Sequence, residues 1–172
     1  MDFWLFSYFC NGMNFADIAR LRWGSFDEKG MSLKIIRTKT IHTKKSDLIP
    51  IQVKLRIETL AIIKKYGTHP RNPEAYVFGF LNPAMTAKES HSTVKQFVKN
   101  TNKYMRRIAE KLGIETSLNS YTARHSFATI LLRSNAPLKF ISESLGHANI
   151  STTENYLASF EQEQEVEFLK AL

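Results

Sequence analysis

The sequence predicts a mainly α fold with one small antiparallel β-hairpin or sheet. Three observations carry this. Apolar residues recur at helical spacing over most of the chain, two short β-branched stretches flank a polar basic tip, and 172 residues suit one domain better than two.

Residues 2–11 and 14–22 read as two helices broken at "NGMN", where Asn11-Gly12 stops the first and Asn14 caps the second. The turn "DEKG" follows. "MSLKIIRT" (31–38) and "DLIPI" (47–51) are short and β-branched, and the polar "KTIHTKKS" between them makes a hairpin with a basic tip. Residues 53–66 return to helical spacing through Leu55, Leu60, Ile62 and Ile63, and Gly67 closes them. The stretch 68–90, punctuated by Pro70, Pro73 and Pro83, predicts irregular structure. From Thr93, the series Val94, Phe97, Val98, Thr101, Met105, Ile108 and Leu112 predicts a long amphipathic helix that Gly113 ends. Its other face carries Lys95, Lys99, Lys103, Arg106, Arg107 and Lys111, a surface that is either solvated or laid on DNA. Shorter helices are expected at 122–133, 137–144 and 151–157, with a last one from residue 160.

The charge is uneven. Lys and Arg number 24 against 16 Asp and Glu, a net charge of +8. Residues 151–172 hold five Glu and one Lys, so residues 1–150 carry 23 basic against 11 acidic residues. A basic body with an acidic tail points to an anionic partner, nucleic acid first and a membrane surface second. The apolar "WLFSYFC" is too short for a membrane span of about 20 residues, and it lacks the basic leader of a signal peptide. Cys10 is the one cysteine, which rules out a disulfide framework or a multi-cysteine zinc site and fits the cytoplasm. An apolar pattern that starts at residue 2 with no cap before it suggests further chain on the N-terminal side.

Three pieces near the C-terminus belong together: Tyr121-Thr-Ala-Arg124, "LGH" with His147, and "TTENY" with Tyr156. Singly they read as a surface ion pair, a helix stop and a core tyrosine. Cutting a phosphodiester without metal needs fixed donors aimed at the equatorial oxygens, an in-line nucleophile and an acid for the departing oxygen. A guanidinium supplies a planar pair of such donors. The chain has no acidic cluster suited to hard cations and no His/Cys pair at zinc-ligand spacing, which leaves a side-chain nucleophile.

The same residues resemble the tyrosine recombinases, or phage-type integrases, which share their cleavage logic with type IB topoisomerases. "GMNFADIARLRW" is similar to the segment that holds the first catalytic arginine, "RTKT" to the hairpin lysine, and "YTARHSFAT" to the His-x-x-Arg box. "LGHANISTTENY" is similar to the histidine and nucleophile box, with nine residues from His147 to Tyr156. The resemblance implies a catalytic domain over 1–159, with a tail helix at 160–172 docking on its own domain or on a neighbour through Phe160, Val166, Leu169 and Leu172. It implies that Tyr156 attacks the scissile phosphate to form a 3′-phosphotyrosyl link, with no cofactor, metal or ATP. Lys39 would protonate the leaving 5′-oxygen, with Lys44 and Lys45 as competitors for that role. Arg124 would bind the non-bridging oxygens, and His147 would add a hydrogen bond to them. Asp17 falls where the family often has an acidic residue behind the site, although a helix-surface position is equally open. His125 beside Arg124 supports the site or packs into core, and His42, with Lys44 and Lys45, touches DNA, while His69 and His91 are surface residues. The partners implied are paired double-stranded DNA sites and self-association, a tetramer, on them.

Two positions depart from the pattern. Asn14 stands where the first arginine is expected, and Tyr121 stands at the first position of the His-x-x-Arg box. A phenol still donates one hydrogen bond to a phosphate oxygen; an asparagine does not replace a charge. Arg20 lies about 240° around the helix from Asn14, and Arg22 more than two turns away. Arg37 is two residues before Lys39, so strand alternation puts both on one face. Arg37 is therefore the candidate replacement. Asn14 also keeps open a relative that binds DNA without cutting it, and a type IB topoisomerase is a third reading.

Overall fold

Helix α1 (Asp2–Phe9) ends in a turn where Asn11 (φ 56°) and Gly12 (φ 64°) are both left-handed. Asn14, in extended conformation, starts α2 (Phe15–Arg20). This is a computed structural model, and it describes residues 1–27, 31–37, 50–147 and 149–157. Helix α2 stops two residues short of the expected 22. Leu21 is extended there, its carbonyl accepts from the Val77 N–H at 2.8 Å, and Arg22 bridges to Tyr76. A tertiary pairing thus overrides helical spacing at that end.

After a 3-10 turn (Trp23–Ser25) come β1 (Phe26–Asp27), β2 (Ser32–Ile35) and β3 (Ile51–Lys54), an antiparallel sheet in the order β1-β2-β3. β1 was not expected; two residues are too few to show a period. The second hairpin strand, expected at 47–51, is described from Ile51 to Lys54, residues 47–49 lying outside the described residues, with Leu33 opposite Val53 and Ile35 opposite Ile51. That register buries Leu33, Ile35 and Val53 on one face. Helix α3 (Ile57–Tyr66) consequently starts four residues later than 53, where Thr59 Oγ1 accepts from the Arg56 N–H at 2.9 Å.

Helix α4 (Ala87–Lys111) starts six residues before Thr93, inside the stretch expected to be irregular. "TAKE" is a capping box: Thr86 Oγ1 accepts from Glu89 N–H at 3.2 Å, and Glu89 Oε2 from Thr86 N–H at 2.8 Å. Helices α5 (Thr122–Arg133) and α6 (Leu138–Leu145) match expectation to within one residue, and the helical run 150–157, here α7, starts within one residue of its expected position and reaches the last described residue. Among the described residues no helix is long and apolar enough to cross a membrane.

Among the described residues a small apolar cluster joins α2 and α4 through Ala19, Leu81 and Val94, beside two others. The larger joins α1, α2, the sheet and α3 through Phe6, Ile18, Leu33, Val53 and Phe78. The smaller joins α5, α6 and α7 through Ala128, Ile141, Leu145 and Leu157. The α1–α2 turn meets α5 at Gly12, where a Cβ would lie 2.8 Å from Arg124 Cα and Cγ. Left-handed backbone and a blocked Cβ act together there. Gly12→Ala is expected to cost about 3 kcal/mol, read as a lower urea midpoint at unchanged slope.

Candidate active site

The loop before α5 is tied down from two sides. Trp4 Nε1–H of α1 donates to Asn119 O at 3.0 Å and Thr122 Oγ1 at 3.1 Å, and Asn102 Oδ1 of α4 accepts from Ser120 N–H at 2.7 Å. This sets the first turn of α5, and Arg124 projects from it into the seam between the two clusters. Arg124 is 4% exposed. Its Nη1 donates to Gly12 O at 3.1 Å and its Nη2 to Leu145 O at 2.6 Å and His147 Nε2 at 3.2 Å. Three of its five N–H donors are thus committed to protein. Burial and, next, Arg37 lower its pKa to about 10, so it stays charged at neutral pH.

His147 owes its position to the end of α6. Gly146 is left-handed (φ 64°) and the His147 N–H donates back to Ser142 O at 3.0 Å, a turn that swings the imidazole toward Arg124. A Cβ on Gly146 would collide with Ile51 and come within 2.9 Å of Arg37 Cδ. Because a guanidinium only donates, Nε2 facing Arg124 carries the lone pair, and Nδ1–H donates to Thr153 Oγ1 at 2.8 Å. Burial first, then Arg124 and Arg37, lower its pKa to about 4. The unfolded imidazole titrates near 6.5, so the unfolded chain takes up the proton more readily. The stability this group contributes is therefore complete above pH 6.5 and is lost as pH falls toward 4. Allowing for its partial exposure, His147→Gln is expected to remove about 2 kcal/mol of the pH dependence in that window, measured by urea unfolding at pH 4.5 and 7.5.

Arg37 continues the inward alternation of Leu33 and Ile35, although it lies two residues past the end of β2. Its Nη1 donates to Gly146 O at 3.2 Å and Leu145 O at 3.4 Å, the second being a carbonyl that Arg124 also uses. Arg37, Arg124, Asn14 and Asp17 line one pocket. Arg20 is turned onto Ala16 O at 3.1 Å. Arg22 pairs with Glu74 at 3.0 Å and stacks over Tyr76. Asp17 is 7% exposed and its charge acts on Arg124, which decides against the helix-surface alternative.

Tyr156, on α7, sits among three rings. His125 stacks on it at 5.0 Å and 26°, while Tyr121 and His147 meet it nearly edge-on at 6.4 and 6.0 Å between centroids. Half-buried His125 thus contacts both tyrosines and is not part of either apolar cluster. Burial foremost, then Tyr121, push the Tyr156 phenol above its ordinary pKa, and Arg124 opposes this. Tyr121 is 48% exposed.

Lys39, His42, Lys44, Lys45 and the tail 160–172 lie outside the described residues. The structure therefore gathers Arg124, His147, Arg37, Asp17, Tyr121, His125 and Tyr156. His69 and His91 lie on the surface. Lys95, Lys99, Lys103, Arg106, Arg107 and Lys111 of α4 are all exposed, as is Lys88 in its first turn. Sequence reading missed Trp4, Thr153 and the carbonyls of Gly12 and Leu145. Only Thr153 left a signal, three residues before Tyr156 and so on the same side of a helix.

The phage integrase family matches residues 8–163. A tyrosine recombinase of Pseudothermotoga lettingae is 29% identical over 157 residues, covering 91% of this chain and 48% of that protein. The chain thus spans about half the length of this curated relative. The Tn1549 transposon integrase in complex with transposon right end DNA superposes at TM-score 0.61 and 15% identity over 95% of this chain and 57% of its own. The XerH site-specific recombinase bound to palindromic difH substrate, a post-cleavage complex, gives 0.57 and 18% over 96% and 44%. The fold is theirs, and the match over residues 8–163 places the chain in the phage integrase family.

Proposed function

We propose that this chain is the catalytic domain of a site-specific DNA recombinase that cuts and rejoins strands through a 3′-phosphotyrosyl intermediate. The observation that carries the reading is the meeting of Arg37, Arg124, His147 and Tyr156, from four separate segments: Arg37 and Arg124 share Leu145 O and line one pocket, His147 contacts Arg124, and Tyr156 lies edge-on to His147. Two guanidinium groups flank the place where a phosphate would sit, and Tyr156 lies in the field of Arg124.

In this reading Tyr156 attacks the scissile phosphorus, and the remaining donors of Arg124, with Arg37, take the non-bridging oxygens. His147, tied to Arg124 and Thr153, fixes the guanidinium and turns to the phosphate once DNA displaces that contact. Lys39 protonates the departing 5′-oxygen. The covalent link conserves the bond energy, so a new 5′-hydroxyl can be joined without ATP. The two guanidinium groups supply the charge stabilisation that a metal would otherwise provide. The partner is double-stranded DNA, with the basic face of α4 on the phosphates, and the enzyme acts in the cytoplasm as a tetramer on paired sites. The tail 160–172 docks in that assembly, in cis or in trans.

The test is a nicked suicide duplex carrying the DNA that borders the gene. A denaturation-resistant protein–DNA adduct is expected with the wild type and not with Tyr156→Phe. Duplex binding without any adduct would instead identify a DNA-binding relative that does not cut.

A further inference from the structure

A phosphate oxygen only accepts hydrogen bonds, so a neutral imidazole that binds one must carry its proton on the nitrogen that faces it. In the resting site His147 is arranged the other way. Its Nε2 faces the Arg124 guanidinium and holds a lone pair, while the proton sits on Nδ1 and points at Thr153 Oγ1, 2.8 Å away. Burial and then the two guanidinium groups lower the pKa of the ring to about 4, so it is neutral at pH 7. A phosphate in place of the Arg124 contact therefore calls for the other tautomer. A hydroxyl both accepts and donates, so Thr153 can bond Nδ1 in either form. Thr153 is also fully buried on α7, three residues before Tyr156 and on the same side of that helix. His147 itself lies beyond the left-handed Gly146 that ends α6, outside any helix. With Arg124 given over to DNA, the bond to Thr153 is the ring's remaining anchor.

We infer that Thr153 is a positioning residue that holds the His147 imidazole through a change of tautomer when a DNA phosphate enters, a role that rests on the cleavage reading above. One proton leaves Nδ1 for water and one arrives at Nε2 from water, so the ring stays neutral. The Thr153 O–H turns to donate to Nδ1, and Nε2–H donates to a non-bridging oxygen. Because α7 carries both Thr153 and Tyr156, the helix that delivers the nucleophile also sets this donor.

The experiment compares the wild type with Thr153→Val and Thr153→Ser. Valine keeps the shape and loses the hydroxyl; serine keeps the hydroxyl and loses a buried methyl. Single-turnover adduct formation on the nicked suicide duplex is expected to slow about 10- to 100-fold in Thr153→Val, the loss that follows when the partner orienting a functional imidazole is removed at metal sites. Thr153→Ser is expected to be faster than Thr153→Val by at least about fivefold. A packing role alone reverses that order and overturns the inference, as does a Thr153→Val rate equal to wild type. Nitrogen NMR of the histidine rings, with His147 assigned by its absence in His147→Gln, reads the tautomer directly. The proton is expected on Nδ1 in the free wild type and on Nε2 alone in Tyr156→Phe bound to the same duplex. A free protein with the proton on Nε2, or a complex with a proton still on Nδ1, overturns the change of tautomer. If the wild type forms no adduct, the cleavage reading fails and this role fails with it, whereas a wild-type adduct with the reversed order removes Thr153 alone. Urea unfolding of each variant at unchanged slope separates these outcomes from a misfolded site.

Discussion

Arg124→Ala is expected to lower the rate of phosphotyrosyl adduct formation by at least a thousandfold and also to weaken the fold. The two effects have different origins. The catalytic loss follows because one preorganised donor at a developing oxyanion is worth about 10²–10³ in rate, and Arg124 has two N–H groups beyond those bound to protein. The loss of stability follows because the alanine leaves the Gly12 carbonyl without a donor, at about 1–3 kcal/mol, and the Leu145 carbonyl with only the long 3.4 Å contact from Arg37, in a buried seam. Removal of a buried charge offsets part of that, so a net loss of about 1–3 kcal/mol is expected. Arg124→Lys separates the two. It keeps a charge but cannot reach Gly12 O and Leu145 O together, so it should recover part of the stability and little of the rate. Urea unfolding and single-turnover cleavage on the same preparations check both. A fully folded Arg124→Ala protein that cleaves at the wild-type rate would remove Arg124 from the site.

Local rules carried much of this architecture. Helix α5 was legible to the residue because an apolar run follows a polar threshold, and α6 to within one residue because Gly146 marks its end. Spacing failed where tertiary contacts decide: Leu21 leaves α2 to pair with Val77, and residues 53 and 54, expected to open a helix, instead extend β3 along Ser32 and Leu33. The start of α4 was a different miss, since the Thr86–Glu89 capping box was present in the sequence and outweighs the preceding Pro83. At the site, motif order singled out Arg124, His147 and Tyr156, which lie together in the structure. No sequence pattern could show that Leu145 O is shared by two arginines, because backbone carbonyls carry no residue signature. Nor could it show that Asp17 is buried, since helical spacing alone leaves both faces open to a short acidic side chain.

We propose that Arg37 supplies the charge absent at Asn14, since it shares Leu145 O with Arg124. Both positions line the pocket that holds Arg124 and Asp17, one from the α1–α2 turn and the other from the chain leaving β2. Opposite directions of approach can deliver one guanidinium to one place. Arg37→Ala is therefore expected to slow adduct formation by about 100- to 1000-fold, comparable to one lost oxyanion donor. Its effect on folding should stay near 1 kcal/mol, because its bonds to Leu145 O and Gly146 O are long, at 3.4 and 3.2 Å. Placing the charge back from the other side is the sharper test. Asn14 caps α2 without a side-chain hydrogen bond, so Asn14→Arg should cost the helix little. In the Arg37→Ala background it should restore cleavage at least tenfold, whereas in the wild type it should change the rate less, since two guanidinium groups would compete for the same carbonyls and repel each other. Single-turnover rates for the four proteins form a double-mutant cycle. Additive effects would mean that positions 14 and 37 act independently, and a wild-type rate in Arg37→Ala would mean that Arg124 carries the phosphate alone.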